Sequence, residues 1–440
     1  MTAQRLSRRT FLASAGAGAA GTALFQIVPS HVLGGPSQTP PSEALRYAVI
    51  GVGAMGGAAA GGCVGRKERR LIAICECDPT RLEKARAQFA PKVKESQGHD
   101  LACYTDFRDL LERTDLDAVH IATPPHWHVL ISIMCMQAGI DVMCEKPMMR
   151  FIAEGRAIVE TAKQYGRICL VNSGGFFNLV RPAAAARKLV RAGLLGLPLT
   201  GRRLLPHNSG RTRGLPEKVE PPPESNPVYD LWCGPSPYNP WRGVVFGGFR
   251  QLWDHDGGSQ ADFGPHWIPP VVEILGKFGE DPVEIEGESQ YPPDPEHVHG
   301  WYRSTIRYAD GTKLVLESKL GREKEPLPAF EVSGPEGKIT VMDDRNYRAE
   351  PPDLLEKARK LPDDPPRISS DEAFRTRKDK HARSPDAETQ FRAEKTLHLS
   401  NISFRVGRKL VWDPEKQTIV GDEQAASLLD IPVLAPWRLY

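Results

Sequence analysis

Apolar runs alternate with amphipathic segments through residues 44–172 of the chain. The apolar runs are short and carry few polar residues, which is typical of strands buried on both faces of a parallel sheet. The segments between them space their apolar residues as helices do and stop at glycines such as Gly139 and Gly166. We therefore predict a parallel sheet covered by helices on both faces, with strands at Tyr47–Ile50, Arg70–Cys75, Asp117–Thr123, Asp141–Cys144 and Ile168–Val171.

The pattern changes after Asn172. A helix is predicted at Arg181–Ala192, but from residue 283 onward strand-like segments follow one another closely, with Asp310-Gly311 as a hairpin signal. Successive strands with few helices between them predict an antiparallel sheet. We expect its strands at Val283–Gly287, Trp301–Tyr308, Lys313–Leu320, Phe330–Val332 and Lys338–Val341.

The first predicted strand leads into a G-x-G-x-x-G sequence. In a dinucleotide-binding turn, the first glycine permits the tight turn, the second lets backbone approach a pyrophosphate, and the third lets the helix pack against the strand. The phosphates then lie at the helix N-terminus, where free N–H groups favour anions. The predicted cofactor contacts in this loop are Gly51, Gly53, Ala54, Met55 and Gly56.

Because the chain has 40 glycines, the motif alone is weak evidence and a simple turn is the alternative. Its context favours a nucleotide site, since Glu76 ends the second predicted strand twenty residues after Gly56. A carboxylate there can accept hydrogen bonds from both ribose hydroxyls of NAD, and it repels the extra phosphate of NADP. The fold class is thus predicted as α/β, with a Rossmann dinucleotide-binding domain at 44–172 and an α+β domain with a large, mainly antiparallel sheet at 173–440. NAD is the expected cofactor, with NADP possible.

Two further strand ends carry polar residues, at Thr123-Pro124-Pro125-His126-Trp127-His128 and at Glu145-Lys146-Pro147. Ligands of a doubly wound sheet bind at these carboxyl ends. The H-x-H spacing in the first of them, and again at His297 and His299, permits a metal interpretation. No further clustered ligands accompany either pair, so no metal site is predicted.

At these motifs the chain resembles the Gfo/Idh/MocA oxidoreductases, typified by glucose-fructose oxidoreductase and inositol dehydrogenase. The resemblance extends from about residue 44 to residue 440, and Glu-Lys-Pro at a strand end is its most specific short motif. It implies that Lys146 lies near the nicotinamide ring and the substrate hydroxyl, and that the His126 and His128 turn lies on the adenine-ribose side. The cofactor contacts it implies outside the glycine loop are Thr123, Pro124, His126, His128, Glu145 and Lys146.

The resemblance also assigns catalytic roles to Asp262 and His266, which form a D-x-x-x-H sequence. Positions i and i+4 share one face of a helix, so a carboxylate and an imidazole converge on one hydroxyl there. A cation such as Lys146 beside that oxygen stabilises a developing alkoxide. The alternatives are an ordinary ion pair and a surface lysine, and Pro265 predicts that the helix is kinked or begins later.

Charge and cysteine content exclude several classes of protein. The net charge is +2, with 57 basic against 55 acidic residues, which gives no indication of nucleic-acid binding. The 8 cysteines are scattered without a C-x-x-C pair, so neither a disulfide framework nor a zinc knuckle is expected.

The N-terminal segment resembles an export signal. Ser7-Arg8-Arg9-Thr10-Phe11-Leu12 and the Ala/Gly run after it predict a twin-arginine signal and linker over residues 1–43, with a disordered basic terminus as the alternative. The apolar run is too short and too rich in alanine for a stable membrane span. We therefore expect a periplasmic protein that is exported folded.

Together these observations predict an NAD(P)-dependent oxidoreductase acting on a secondary hydroxyl of a sugar, glycoside or cyclitol. The alternative is an NAD-dependent glycosidase that oxidises, eliminates, hydrates and re-reduces its substrate. A nucleotide-holding sensor is a third interpretation, which the combination of Lys146, Asp262 and His266 disfavours. The family implies a homo-oligomer formed through the C-terminal sheet. Aromatic residues at Tyr229–Trp241 suit sugar stacking, with an aromatic core patch as the alternative. The proline-rich segment 205–227 is predicted to be a lid or a linker, and the segment 350–392 a solvated excursion.

Overall fold

The computed structural model describes most of the chain after the predicted export segment. The described residues are 43–173, 180–205, 220, 231–236, 248–291, 298, 300–318, 328–430 and 437–439. Residues 1–42, His297, His299 and most of the 205–227 and Tyr229–Trp241 segments therefore lie outside it. No helix in the described ranges is both long and apolar enough to cross a membrane.

A six-stranded sheet forms the first part of the fold. Its strands pair in parallel throughout, in the order β3-β2-β1-β4-β5-β6. The order reverses beside β1, so the carboxyl ends of β1 and β4 flank the crevice where such sheets bind ligands. The strands are β1 (Leu45–Ile50), β2 (Arg69–Cys75), β3 (Ala102–Tyr104), β4 (Ala118–Ile121), β5 (Asp141–Glu145) and β6 (Cys169–Asn172).

Helices connect these strands. Asp78 caps the second of them by accepting hydrogen bonds from the backbone N–H groups of Thr80 and Arg81. The last one ends at Gly166, whose φ of 59° favours glycine. These helices are α1 (Ala54–Val64), α2 (Pro79–Gln97), α3 (Phe107–Leu111), α4 (Pro125–Gln137) and α5 (Ile152–Tyr165).

A nine-stranded sheet forms the second part, in the order β13-β12-β11-β7-β10-β9-β8-β14-β15. β7 and β10 pair in parallel and the other described pairs are antiparallel, which confirms the predicted fold class. The strands are β7 (Thr200–Leu205), β8 (Glu284–Ser289), β9 (Tyr302–Arg307), β10 (Lys313–Ser318), β11 (Phe330–Gly334), β12 (Gly337–Val341), β13 (Tyr347–Glu350), β14 (Leu410–Asp413) and β15 (Thr418–Ile419).

The helices of this second part differ from expectation in two places. The helix that carries Asp262 and His266 begins before both residues and continues through Pro265, so the predicted later start is wrong. Helices also interrupt the segment 350–392, which was expected to be a solvated excursion. The helices are α6 (Val180–Arg191), α7 (Gly258–Ile274), α8 (Asp353–Lys360), α9 (Ser370–Thr376), α10 (Ala387–Val406) and α11 (Glu423–Ser427).

The alternating charges of the 350–392 segment explain that difference. In α8 they form the i,i+4 ion pairs Asp353–Lys357 and Glu356–Lys360, while Leu354 is buried beneath them. In α9 the buried Asp371 accepts a hydrogen bond of 2.7 Å from Arg69 Nε at the start of β2. The charges therefore stabilise helices and dock one of them onto the first sheet, besides facing solvent.

Candidate active site

A cavity of about 460 Å³ lies along the carboxyl ends of the first sheet and extends to α7. Its lining has two parts, which we call the glycine-loop region (Gly51, Gly53, Ala54, Met55, Glu76) and the lysine region (Glu145, Lys146, Asp262, His266). Thr123, Pro124 and His128 also line it. Gly56 and His126, the other two predicted site residues, do not.

The three glycines of the loop are required for different reasons. Gly51 has a φ of +83°, and a Cβ there would lie 2.8 Å from the Ala122 carbonyl carbon. A Cβ on Gly56 would lie only 1.7 Å from the Gly51 carbonyl oxygen. A Cβ on Gly53 would make only an ordinary contact, 3.5 Å from Arg81 Nη1. The fold itself therefore demands the first and third glycines, whereas the second keeps the cavity open for a bound molecule.

The glycine-loop region fits a dinucleotide. Gly53 is the N-cap of α1 and supplies no side-chain cap, so the first N–H groups of the helix are available to a pyrophosphate. The Thr123 hydroxyl, at the end of β4, is buried and has no hydrogen-bond partner among the described residues. These amides and this hydroxyl are the groups that would hold NAD.

Glu76 lies at the edge of this region with its carboxylate fixed by backbone. Oε2 accepts a 3.1 Å hydrogen bond from Val52 N in the glycine loop, and Oε1 accepts one of 3.2 Å from Asp78 N. A carboxylate offers about four lone-pair sites, so acceptor capacity remains for ribose hydroxyls. Arg81, in the first turn of α2, lines the same cavity and was not predicted from the sequence.

The two histidines of the β4 turn occupy different environments. His128 lies between two carbonyl oxygens, with Nδ1 2.6 Å from Pro147 O and Nε2 2.8 Å from Thr123 O. Burial lowers the pKa of His128, so the neutral ring donates to one of these carbonyls at a time. This ring joins the β4 turn to the turn that carries Lys146.

His126 is buried in the protein interior and is not part of the cavity lining. Its Nε2 lies 2.7 Å from Trp232 O, and its ring packs 4.6 Å from that of His255. Burial lowers the pKa of His126 well below its usual value. The structure therefore places His126 in the packing beneath the site, and its role as a cofactor contact stays a prediction.

Glu145, which precedes the lysine, is part of a buried hydrogen-bond network. Its Oε1 lies 2.9 Å from His120 Nε2 and accepts a 2.8 Å hydrogen bond from Asn172 Nδ2. Burial opposes ionisation, but these partners outweigh it and hold the pKa of Glu145 below its ordinary value. His120 was missed, although a histidine within the apolar strand DAVHIAT was a signal.

Lys146 and Asp262 form an ion pair across the two parts of the fold. Lys146 Nζ lies 2.8 Å from Asp262 Oδ1 and 3.0 Å from the Asp262 carbonyl oxygen. Arg250 Nε lies 3.5 Å from Asp262 Oδ2 and lines the same cavity. The carboxylate is therefore held between two cations, of which only Lys146 was expected.

His266 is held in one tautomer by the backbone. Its Nδ1 contacts the carbonyl oxygen of Ser173 at close range. Because a carbonyl only accepts, Nδ1 carries the proton and Nε2 keeps a lone pair. Burial, helped by the charge of Lys146, lowers the pKa of His266 below its usual value. A neutral imidazole with a basic Nε2 therefore stands in the same cavity as the Lys146 ammonium.

Part of the chain is similar in sequence to curated proteins. The chain is 31% identical over 218 residues to a glycosyl hydrolase family 109 protein of Shewanella pealeana, and this match covers 46% of each protein. It is 30% identical over the same length to an alpha-N-acetylgalactosaminidase of Shewanella oneidensis. The match thus spans about half the length of these curated relatives.

Solved structures share the fold at low identity. The WlbA dehydrogenase from Bordetella pertussis superimposes with a TM-score of 0.59 at 17% identity, covering 84% of this chain and 99% of that one. The aldose-aldose oxidoreductase from Caulobacter crescentus gives a TM-score of 0.54 at 19% identity, covering 84% and 99%.

The family itself is identified by sequence profiles over nearly the whole described chain. Residues 45–173 match the NAD-binding Rossmann fold of the oxidoreductase family, and residues 180–439 match its C-terminal alpha/beta domain. These matches confirm NAD as the cofactor, whereas selectivity against NADP and the individual site roles stay predictions. The chain belongs to the Gfo/Idh/MocA oxidoreductase family.

Proposed function

We propose that this protein removes hydride from the carbinol carbon of a secondary hydroxyl on a sugar, glycoside or cyclitol. The observation that carries the proposal is the pairing of a neutral His266, with its Nε2 lone pair, and the Lys146–Asp262 ion pair in one cavity. Structural neighbours support a sugar-like substrate, since WlbA was solved with NADH and UDP-GlcNAcA.

The roles of the residues follow from their chemistry. When NAD is bound, its nicotinamide ring supplies the hydride acceptor. His266 Nε2 takes the hydroxyl proton, and the Lys146 ammonium stabilises the negative charge that develops on the oxygen as hydride leaves. Asp262 is buried and holds Lys146 in place, while the aromatic side chains of Trp232 and Phe249 line the cavity beside them.

A second candidate function is supported by the curated relatives. A glycosyl hydrolase family 109 protein and an alpha-N-acetylgalactosaminidase are about a third identical to part of this chain, at 31% and 30%. A redox-neutral glycosidase would begin with the same oxidation, then eliminate the aglycone, add water and reduce the ring again. The same His266 and Lys146 would serve both hydride steps.

We further propose export in a folded, nucleotide-loaded form. The support is the twin-arginine sequence within residues 1–43, since twin-arginine export moves folded proteins and the periplasm offers no evident supply of free NAD. Protein purified from periplasm and gel-filtered should release about one nucleotide per chain on acid denaturation. Recovery of empty protein that needs added millimolar NAD would contradict this proposal.

Assembly of a homo-oligomer through the nine-stranded sheet is proposed likewise, and gel filtration of the same sample tests it.

One experiment separates the two activities. The purified protein is incubated with a panel of aryl glycosides and free sugars, with and without added NAD. A dehydrogenase reduces its one bound nucleotide and then stops, unless added NAD or an oxidised second substrate accepts the hydride, whereas the glycosidase releases aglycone over many turnovers without net NADH. The Lys146→Ala variant is the matched inactive control. Turnover of neither class by the native protein, with NAD bound, would contradict both proposals.

A further inference from the structure

The long helix α10 is buried on most of its surface, although it carries many polar side chains. Buried polar groups need hydrogen-bond partners, so the direction in which each one bonds is informative. Thr396 and Ser400 bond back to carbonyl oxygens of α10 itself, at 2.7 and 2.8 Å. Lys395 pairs with Asp281 at 2.8 Å. These side chains satisfy the helix and its immediate neighbours.

A second set of polar residues on α10 connects the helix to other segments of the chain. Gln390, Glu394, His398 and Asn401 are spaced by four, four and three residues, which places them on one face of the helix. We call this row the α10 polar stripe. Its outward bonds go to other segments of the chain, namely the turn that follows Lys146 and the start of α7.

Glu394 accepts hydrogen bonds from the backbone of the turn that follows Lys146. Its Oε1 and Oε2 accept hydrogen bonds of 3.0 and 3.1 Å from Met148 N, and Oε2 accepts one of 3.2 Å from Met149 N. Gln390 Nε2 donates to Oε1 at 2.7 Å, which orients the carboxylate. His398 lies on the same face of α10, one turn beyond Glu394, and is likewise buried. The backbone two and three residues after Lys146 is thus fixed by a helix that lies 246 residues further along the chain.

Asn401 holds the other partner of the ion pair through backbone. Its Nδ2 donates to the Gly257 carbonyl oxygen at 2.7 Å, directly before the first residue of α7. Contact here is close, because a Cβ on Gly257 would lie 3.0 Å from that Nδ2. Two residues beyond Asp262, a Cβ on Gly264 would lie 2.7 Å from Leu397 Cδ1 on α10. The register of α7, and with it Asp262, is therefore set against the same helix.

We propose that the α10 polar stripe positions Lys146 against Asp262, with Glu394 as the principal positioning residue. The proposal rests on the proposed function only in that Lys146, held by Asp262, acts on the substrate. Lys146 and Asp262 are 116 residues apart and come from different parts of the fold. A single rigid helix that bonds to both segments fixes their separation, and small misplacements of catalytic groups cost large factors in rate.

The first test needs no substrate, so its outcome is independent of the proposed function. Backbone amide exchange of the peptide containing Met148 and Met149 is measured by mass spectrometry in Glu394→Ala and Glu394→Gln. The matched control is Glu388→Gln, which removes a charge from the same helix where Glu388 pairs with Arg392 at 3.0 Å. Exchange at the turn should accelerate about tenfold in Glu394→Ala, less in Glu394→Gln, and not in the control.

Labelling of lysine amines gives a second readout on the same variants. Lys146 is 13% exposed and ion-paired, so it should react slowly in the native protein and about fivefold faster in Glu394→Ala. Lys277, 6% exposed and paired with Asp310 at 2.8 Å, is the internal standard and should keep its rate. Equal acceleration at both lysines would indicate general loosening and overturn the proposal, as would unchanged exchange at the turn.

Kinetics then separate positioning from binding. With whichever sugar is turned over, Glu394→Ala should lower kcat about tenfold or more while KM and NAD affinity change less than about threefold. Glu394→Gln should restore part of the rate, since one amide oxygen still accepts from the turn. A loosened turn with unchanged kcat would overturn the positioning role and leave the proposed function standing.

Discussion

The glycine-loop region and the lysine region line one cavity but are constructed in opposite ways. The first is made by backbone, in which Gly51 and Gly56 are small because other main-chain atoms lie where a Cβ would be. The second is made by buried side chains, in which Lys146 meets Asp262 across 116 residues of sequence. A backbone site depends on local conformation, whereas a side-chain site depends on distant segments that must be held in register. Substitutions in the two regions should therefore fail in different ways.

The largest effect is expected in the lysine region. Lys146→Ala removes the cation that stabilises the developing negative charge, so kcat should fall about 10²- to 10³-fold. NAD affinity should change much less, because the backbone of the glycine loop is untouched. Steady-state kinetics together with an NAD titration measure both quantities. An unchanged kcat at saturating substrate would remove Lys146 from the catalytic set.

A pair of alanine substitutions tests the backbone character of the other region. Gly56→Ala forces a Cβ against the Gly51 carbonyl and should lower the free energy of unfolding of the apoprotein by about 3 kcal/mol. It should also lower the affinity for NAD. Gly53→Ala meets only Arg81 at ordinary contact distance, so it should leave apoprotein stability nearly unchanged. Its NAD affinity should nevertheless fall about tenfold or more, because the Cβ intrudes on the pyrophosphate path.

Urea unfolding of the two apoproteins and NAD titration of each provide the measurement. The distinction between the two glycines would be wrong if Gly53→Ala destabilised the apoprotein as much as Gly56→Ala does. In that case the second glycine would serve the fold and not the ligand.

Cofactor selectivity should shift by a smaller factor. Replacing Glu76 with serine and Cys77 with arginine exchanges a repulsive carboxylate for a phosphate partner, and Arg81 already lines the cavity nearby. The ratio of NADP to NAD affinity should rise about tenfold or more. Absolute NAD affinity should also decline, since Glu76 bonds to Val52 N in the loop. Native protein that already prefers NADP would contradict the role given to Glu76.

The same contrast explains what the sequence could and could not predict. The first sheet and the glycine loop depend on runs of a few neighbouring residues, and Gly51, Gly53 and Glu76 lie in the cavity as expected. Lys146 and His266 were assigned through a family resemblance, and the structure brings them into the same cavity. Their supporting network was not predictable, because the partners of a buried side chain are set by tertiary packing.

Particular residues show the limit. His126 and His128 are two positions apart, and nothing in the sequence distinguishes the one that lines the cavity from the one packed against His255. Glu394 belongs to a charged stretch that suggests solvent, yet it is fully buried against Met148 and Met149. Charge alternation indicates exposure only when no segment distant in the sequence supplies donors.

The smallest effect links His266 to its neighbour in the lysine region. Burial and the Lys146 charge both lower the pKa of His266 below 6.5, so its imidazole is neutral at neutral pH. The acid limb of kcat/KM should therefore lie below pH 6.5, because activity is lost only as the pH falls through the depressed pKa. In Lys146→Ala the repelling charge is gone, and the pKa of His266 should rise toward its ordinary value.

Titration of the imidazole by NMR measures this pKa directly in both proteins, so the low turnover of Lys146→Ala does not limit the comparison. The rise should be below about one unit, since burial, the larger cause, remains. The sign is the decisive result. If the pKa of His266 falls when Lys146 is removed, the Lys146 charge does not act on the imidazole as the structure indicates. The lysine region would then consist of two independent sites, and its contrast with the locally built glycine loop would disappear.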